Sequence, residues 1–199
     1  SSSAASDVYK RQALRLRLMY KFLCFFILLG SPVFASSLKI TIAGTAQGQI
    51  EIDLFEDIAP LHVAQISKLA EQGQYDNVIF HRVIEGFMAQ TGDVEYGKAG
   101  GDIAFAGRGG STLPDLPAEF SDIKFDRGIV GMARAQDPNS ANSQFFIMFE
   151  PGYFLNGQYT VIGRVESGME VVDQIKIGKG PNGAVLGVPD KMVSVEFSR

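Results

Sequence analysis

Residues 80–93 read FHRVIEGFMAQTGD, a stretch in which aromatic, apolar and polar side chains are interleaved. In an extended strand, alternate residues share a face, so Phe80, Arg82 and Ile84 lie on one side. His81 and Val83 lie on the other side. Arg82 is therefore flanked by apolar side chains, and this pattern alone leaves two interpretations open. Either Arg82 is an exposed charge at a sheet edge, or its guanidinium points into a partly apolar cleft.

Strand-like runs continue on both sides of this stretch. Upstream, residues 38–42 and 49–55 alternate polar and apolar side chains, and Gly44 and Gly48 lie between them as in a hairpin. Downstream, turn signals at residues 137–139, 151–152 and 156–157 separate further runs. The predicted strands are 38–42, 49–55, 78–84, 87–91, 128–133, 144–149, 160–165 and 192–197.

Two segments are predicted to be helical. The first begins near Asp57, has Pro60 in its first turn and ends at Gly73, with its apolar residues on one face. The second spans residues 169–175. About eight strands and two helices predict a mainly β fold, either an antiparallel barrel or a closed sandwich capped by helices. The Gly-rich residues 97–119 are predicted to form a long surface loop.

The composition is typical of one globular domain. The chain has 199 residues, of which 46% are hydrophobic and 20% charged, with a single cysteine and no tryptophan. These values disfavour a disordered, collagen-like or disulfide-stapled protein. The formal net charge is -4, and five of the 18 basic residues precede residue 36, so the remainder is strongly acidic. A domain this acidic is not expected to bind nucleic acid or anionic lipid.

The first 35 residues differ in character from the rest. Residues 2–12, SSAASDVYKRQ, resemble the in-frame translation of a sequencing adapter, so residues 1–18 are interpreted as an adapter-derived or untranslated leader. Residues 19–35 have the pattern of a signal peptide: Lys21 provides the positive start, residues 22–29 the apolar segment, and Val33 and Ala35 the small residues before a cleavage site.

Cleavage after Ala35 would leave residues 36–199 as the mature domain and would remove Cys24, the only cysteine. The alternative is an uncleaved membrane anchor, but the apolar run 22–34 has only 13 residues, against roughly 20 needed to span a bilayer. We therefore expect a periplasmic or secreted protein with no stable membrane contact after cleavage. A tethered form would change the location and not the chemistry.

The sequence does not indicate metal, nucleotide or nucleophilic chemistry. The two histidines, His62 and His81, have no cysteine, histidine or carboxylate at metal-ligand spacing. Residues 97–101 lack the Walker spacing, and the chain contains no Gly-x-Ser-x-Gly motif. Residues 137–142 are more typical of a turn than of a calcium loop. No metal and no cofactor are therefore expected.

Three segments resemble the signatures of a known family. They are FHRVIEGFMAQTGD at residues 80–93, GIVGMARAQDPNSANSQFFI at 128–147 and FLNGQYTVIGRV at 154–165. They are similar to the cyclophilin family of peptidyl-prolyl cis-trans isomerases, and the similarity extends over residues 39–197. The resemblance implies an eight-stranded antiparallel closed barrel capped by two α-helices. It also implies isomerase activity on proline-containing unfolded or partly folded polypeptides, without a cofactor, and we expect a monomer.

The resemblance also assigns roles to individual positions. The family's catalytic arginine falls on Arg82, which favours the cleft interpretation of that residue, and its active-site glutamine falls on Gln90. Without the resemblance, the residues on the proline pocket would be interpreted as core packing. The implied pocket residues are Phe87, Met88, Phe146 and Leu155, and the implied neighbouring substrate-binding residues are Ala133, Arg134 through its backbone, Gln144, Phe154 and Tyr159.

Three positions depart from the best-known eukaryotic pattern. Phe154 stands where that pattern has tryptophan, Tyr159 where it has histidine, and Arg134 where it has asparagine. In relatives with tryptophan, the indole N–H donates a hydrogen bond to a carbonyl of cyclosporin, and phenylalanine has no such donor. Weak cyclosporin binding is therefore expected. Together with the signal peptide, these departures resemble the exported bacterial branch of the family.

A second hypothesis is a binding module or chaperone that retains the groove for prolyl peptides but has no useful turnover. Arg82, Gln90 and Phe146 are all present, which disfavours this hypothesis. A proline-isomer assay separates the two, because a pure binder would protect an unfolded protein without accelerating its slow isomerisation phase.

Overall fold

The computed structural model describes residues 36–199. The predicted leader, residues 1–18, and the predicted signal peptide, residues 19–35, lie outside the described residues. Within residues 36–199, no helix is both long enough and apolar enough to cross a membrane.

In this part of the chain, nine strands form one antiparallel sheet. The strands are β1 Ser37–Ala43, β2 Gly48–Leu54, β3 Val78–Ile79, β4 Arg82–Ile84, β5 Met88–Thr91, β6 Ile129–Met132, β7 Phe145–Met148, β8 Val161–Ser167 and β9 Lys191–Ser198. Their order in the sheet is β3-β9-β1-β2-β8-β6-β7-β5-β4. The two helices are α1 Pro60–Glu71 and α2 Met169–Val172. Seven of the eight predicted strand runs and both predicted helices are confirmed, with bounds that differ by a few residues.

The prediction of eight strands in a closed barrel was wrong in two respects. The run predicted as one strand, 78–84, divides into β3 and β4, because Phe80 N donates to Asp190 O and His81 O accepts from Val185 N. These two residues thus pair with an irregular segment and not with a strand. β3 and β4 are the two ends of the sheet and are not hydrogen-bonded to each other. The sheet is therefore a curled, open half-barrel.

The strands and α1 enclose one main apolar core. Leu38, Ile40 and Ile42 of β1 alternate with exposed or partly exposed residues, as the sequence pattern predicted. A second, smaller cluster lies on the opposite face of β5 to β8, beneath the predicted site. Its buried members are Met88, Phe125, Ile129, Phe146, Met148, Leu155 and Val161.

Two carboxylates anchor the long predicted loop, which is irregular apart from a short 3-10 helix at Ile103–Phe105. Near its start, the fully buried Asp93 accepts backbone hydrogen bonds from Gly107 and Gly109. At its end, Glu119 accepts from the backbone N–H groups of Leu61 and His62. Glu119 thereby caps α1, whose own N-cap residue makes no side-chain bond. The loop is thus fastened at its middle by Asp93, which follows β5, and at its end to α1.

Candidate active site

The register of three neighbouring strands aligns the candidate catalytic residues in one row. Arg82 of β4 lies opposite Gln90 of β5, and Gln90 lies opposite Phe146 of β7. Directly paired residues in an antiparallel sheet point to the same face, so the three side chains lie side by side. The next residue in the row, on β6, is Gly131. A Cβ there would come within 2.6 Å of the Phe146 ring and 2.7 Å of the Phe125 ring, so glycine makes room for both.

A chain of hydrogen bonds runs along this row. Arg82 Nη1 donates to Gln90 Oε1 at 3.0 Å. Gln90 Nε2 donates to Gln144 Oε1 at 2.9 Å, and Gln144 Nε2 donates to the carbonyl oxygen of Gly109 at 2.8 Å. Because each amide uses both its oxygen and its nitrogen, the orientation of every side chain in the chain is defined. The guanidinium is thus linked to the long loop.

These side chains border a cavity of about 270 Å³. Met88, Phe146 and Leu155 are buried at its apolar base, whereas Phe154 is 66% exposed at its rim. The structure brings together ten of the eleven predicted site residues around this cavity: Arg82, Phe87, Met88, Gln90, Ala133, Arg134, Phe146, Phe154, Leu155 and Tyr159. The eleventh, Gln144, lines an adjoining groove of about 490 Å³ that also includes Gln90, Ala133 and Arg134.

Aromatic contacts form the rim of the cavity. The rings of Phe87 and Phe154 lie 5.4 Å apart, and Tyr159 meets Phe146 edge to face at 5.8 Å. The Arg134 guanidinium carbon lies 4.5 Å from the centre of the Tyr159 ring, within range of a cation–π interaction. The three positions that depart from the eukaryotic pattern therefore all lie on this rim.

The side chain of Arg134 is bound to the protein's own backbone. It donates to the carbonyl oxygens of Gln158, Ala135 and Gln136. The backbone N–H and C=O of Arg134 have no hydrogen-bond partner within residues 36–199. These two groups stay available to an extended peptide, the partner that the family resemblance implies for them.

Arg82 combines charge with an apolar setting. It is partly buried, and this burial lowers the pKa of its guanidinium. An unperturbed arginine titrates so far above neutrality that the group stays charged. Its Nη1 also faces the sulfur of Met88 at 4.0 Å, on the wall of the cavity. Of the two interpretations of Arg82, the structure supports a guanidinium aimed into a partly apolar cleft.

One neighbour of Arg82 was not predicted from the sequence. Asn182 accepts hydrogen bonds from Arg82 Nε through its carbonyl oxygen at 3.0 Å and from Nη2 through its side-chain Oδ1 at 3.2 Å. It lies 100 positions further along the chain, in a short 3-10 turn, Pro181–Gly183. The Pro-Asn-Gly sequence indicates a turn, but nothing local indicates which residue the turn contacts.

Comparison with known proteins agrees with this geometry. A family model described as cyclophilin type peptidyl-prolyl cis-trans isomerase/CLD matches residues 37–197. The chain belongs to the cyclophilin family. This cyclophilin is 62% identical to a probable peptidyl-prolyl cis-trans isomerase of Brucella suis biovar 1 over 149 residues, which span 73% of this chain and 76% of that protein. It is 38% identical over 142 residues to peptidyl-prolyl cis-trans isomerase-like 1 of Emericella nidulans, covering 69% of this chain and 82% of that protein.

Solved structures of cyclophilin type isomerases are similar to this chain as well. A cyclophilin type isomerase from Cryptosporidium parvum superposes with a TM-score of 0.70 at 26% identity, covering 83% of this chain and 99% of that chain. A structure from the same organism in the presence of the dipeptide Ala-Pro gives a TM-score of 0.68 at 26% identity, covering 82% and 99%. The predicted family membership and the isomerase class are thus confirmed.

Within residues 36–199, this cyclophilin has no group of three or more histidine, cysteine or carboxylate side chains that could hold a metal ion.

His81 lies on the face of β4 opposite to Arg82's side chain and is buried. Neither of its ring nitrogens has a hydrogen-bond partner within residues 36–199. Burial lowers the pKa of His81 to about 4; the negative charge of Asp93 opposes this lowering, and the positive charge of Arg82 adds to it. The imidazole is therefore neutral at physiological pH and adds no second positive charge beside the guanidinium.

This burial predicts a pH-dependent stability. The unfolded chain binds a proton at His81 with a pKa of about 6.5, whereas the folded chain does so only near a pKa of about 4. The stabilisation is therefore complete above the unfolded pKa and is lost as the pH falls towards the folded one. Between pH 7.5 and pH 4.5, the free energy of unfolding should fall by about 2 to 3 kcal/mol more in the wild type than in His81→Gln. Urea unfolding at both pH values measures the difference, and parallel pH profiles would contradict it.

Proposed function

We propose that this cyclophilin accelerates rotation about X-Pro bonds in exported proteins, and that Arg82 stabilises the twisted amide. The observation that carries the proposal is the position of a charged, partly buried guanidinium on the wall of an apolar cavity. Rotation about an amide breaks no covalent bond and requires neither a nucleophile nor a cofactor. The barrier of roughly 18 to 20 kcal/mol arises from amide resonance.

The guanidinium can favour the transition state over both ground states. As the bond twists, the prolyl nitrogen loses conjugation and acquires an available lone pair, which an N–H of Arg82 can approach. Neither planar isomer offers this lone pair, so the interaction is strongest in the twisted state. Such differential binding is the condition for catalysis. The apolar surroundings strengthen the interaction, because little water competes for the donor.

The remaining residues hold the substrate on one side of the rotating bond. Met88, Phe146 and Leu155 offer an apolar base against which a pyrrolidine ring can pack. The free backbone groups of Arg134 can bind the main chain of the substrate as a neighbouring strand would. The Cryptosporidium parvum structure in the presence of Ala-Pro supports a proline-containing peptide as the substrate class. With one part of the peptide fixed, rotation is confined to the other part.

The free energy needed for the rate acceleration exceeds what one residue can supply, so several groups must contribute. Raising the rate from about 0.01 to about 1000 per second needs roughly 7 kcal/mol. One charge-assisted donor in a site that excludes water supplies about 3 to 4 kcal/mol. Desolvation of the amide and fixed orientation of the peptide supply the rest. No single residue accounts for the whole acceleration.

The role of Arg82 predicts a large kinetic effect. Arg82→Ala should lower kcat/KM for a proline peptide by about 100-fold or more, mainly through kcat, because it removes about 3 kcal/mol of transition-state stabilisation. Arg82→Lys should recover little, since an ammonium does not reproduce the planar fork of donors. A protease-coupled or NMR exchange assay measures the rates.

Arg164→Ala provides the matched control, because Arg164 is exposed on β8 and does not line the cavity. Its activity should equal that of the wild type. Near-normal kcat in a folded Arg82→Ala protein would remove Arg82 from the mechanism. If the wild type also failed to accelerate isomerisation while still protecting an unfolded protein, the binding-module hypothesis would replace catalysis.

The exposed position of Phe154 supports the proposal that cyclosporin binds weakly. Its ring contacts Phe87 on the rim but has no hydrogen-bond donor. A cyclosporin carbonyl covered by Phe154 would lack a hydrogen-bond donor, which should weaken cyclosporin binding by roughly 5-fold to 150-fold. Phe154→Trp should therefore tighten cyclosporin inhibition without a comparable rise in kcat/KM. Side-by-side inhibition titrations test this, and equally tight inhibition of both proteins would contradict it.

Export is a further part of the proposal and rests on residues 19–35. The mature protein is expected to begin at Ser36 and to act as a monomer in the periplasm or outside the cell, where it assists the folding of proline-containing proteins. N-terminal sequencing and intact mass of the protein recovered from its producing cells test the cleavage. Recovery with Met19 to Ala35 still attached would exclude the soluble exported form.

A further inference from the structure

Arg82 is held from two sides by segments far apart in the chain. On one side Gln90 accepts a hydrogen bond from Nη1. On the other side Asn182 accepts from both Nε and Nη2. We propose that Asn182 is a positioning residue for the Arg82 guanidinium, an inference that rests on the proposed catalytic role of Arg82. Asn182 does not line the cavity, so it acts through Arg82 and not on the substrate.

The backbone of Asn182 makes its two-point contact possible. Its φ of 54° and ψ of 30° place it in the left-handed region, which few residues other than glycine and asparagine adopt readily. In this conformation its carbonyl oxygen and its side-chain Oδ1 meet adjacent nitrogens of one guanidinium. Two parallel hydrogen bonds along one edge define the plane of the group as well as its position.

The turn that carries Asn182 is attached to both neighbours of Arg82. Gly178 N donates to the carbonyl oxygen of Val83, and Val185 N donates to that of His81. Within the turn, Gly180 N donates to the carbonyl oxygen of Ala184. The segment is therefore tied to the backbone on each side of Arg82. A side chain placed on it has a defined position relative to the guanidinium.

Counting donors shows what this arrangement leaves for a substrate. A guanidinium has five N–H groups. Asn182 and Gln90 together occupy three of them with oxygen acceptors. The second Nη1 hydrogen faces only the sulfur of Met88, a weak acceptor on the cavity wall, and the second Nη2 hydrogen has no acceptor among residues 36–199. Asn182 thus binds the Nε–Nη2 edge of the guanidinium, while Gln90 binds Nη1. Two N–H groups remain for the twisted amide.

Asn182→Gly is the most informative variant. Glycine keeps the left-handed backbone and the carbonyl acceptor, so of the two acceptors that bind Arg82 only the side-chain Oδ1 is lost. We expect kcat to fall by about 5- to 10-fold, the effect of one lost hydrogen bond at a solvent-exposed position, with KM within about twofold of the wild type. The thermal midpoint should not fall. Asn182→Asp keeps an oxygen at the same place and should restore kcat to within about threefold of the wild type.

Asn77→Gly is the matched control. Asn77 also has a left-handed backbone, with φ of 61°, and its Oδ1 also accepts a hydrogen bond from a basic side chain, Lys191 Nζ, at 2.9 Å. It does not line the cavity. The two substitutions therefore make the same chemical and conformational change in different places. Asn77→Gly should leave kcat and KM unchanged.

A double-mutant cycle identifies the route of the effect. If Asn182 acts through the guanidinium, Asn182→Gly should have no further effect on kcat in the Arg82→Ala background, at enzyme concentrations that keep the catalysed rate measurable. The same loss in both backgrounds, or kcat within twofold of the wild type in Asn182→Gly alone, would overturn the inference and leave the role of Arg82 intact. A fully active Arg82→Ala would instead overturn the proposed mechanism, and the inference with it.

Discussion

The site of this cyclophilin depends on the pairing register of β4, β5 and β7. The register places Arg82, Gln90 and Phe146 in one row on one face, so that a charged donor, an amide and an aromatic wall are adjacent. A slip of one residue would turn every side chain of a strand to the opposite face. The apolar residues between them enforce the register, because Val83 and Ala89 are fully buried on the opposite face. The same strand register is therefore required both for core packing and for assembly of the active site.

Irregular loops form the parts of the site that the sheet does not, and polar side chains fix the positions of these loops. The buried carboxylate of Asp93 binds backbone N–H groups of the long loop, and Gly109 of that loop in turn accepts a hydrogen bond from Gln144. Glu119 fastens the far end of the loop to α1. Such bonds satisfy backbone groups that a sheet or helix would otherwise pair. They allow an irregular segment to form one wall of the substrate groove.

The electrostatics of the site follow from the alternation of β4. Arg82 faces the cavity and remains charged, whereas the preceding residue, His81, faces the interior and is kept neutral by burial. The two side chains illustrate how burial acts on different groups: imidazole loses its proton at modest cost, but guanidinium does not. Of these two neighbouring residues, only Arg82 thus presents a positive charge to the cavity.

The sequence by itself predicted most of the strand runs, the two helices, the family and eleven candidate site residues, of which the structure places ten around one cavity and the eleventh in the adjoining groove. These conclusions were available because alternation, helical periodicity and the signature segments are local. The open sheet, the cap that Glu119 provides for α1 and the contact of Asn182 with Arg82 were decided only by the tertiary structure. Each depends on where an irregular segment passes over the sheet. That path is set largely by backbone hydrogen bonds, which nearly every residue can make, so the side chains of the segment do not reveal it.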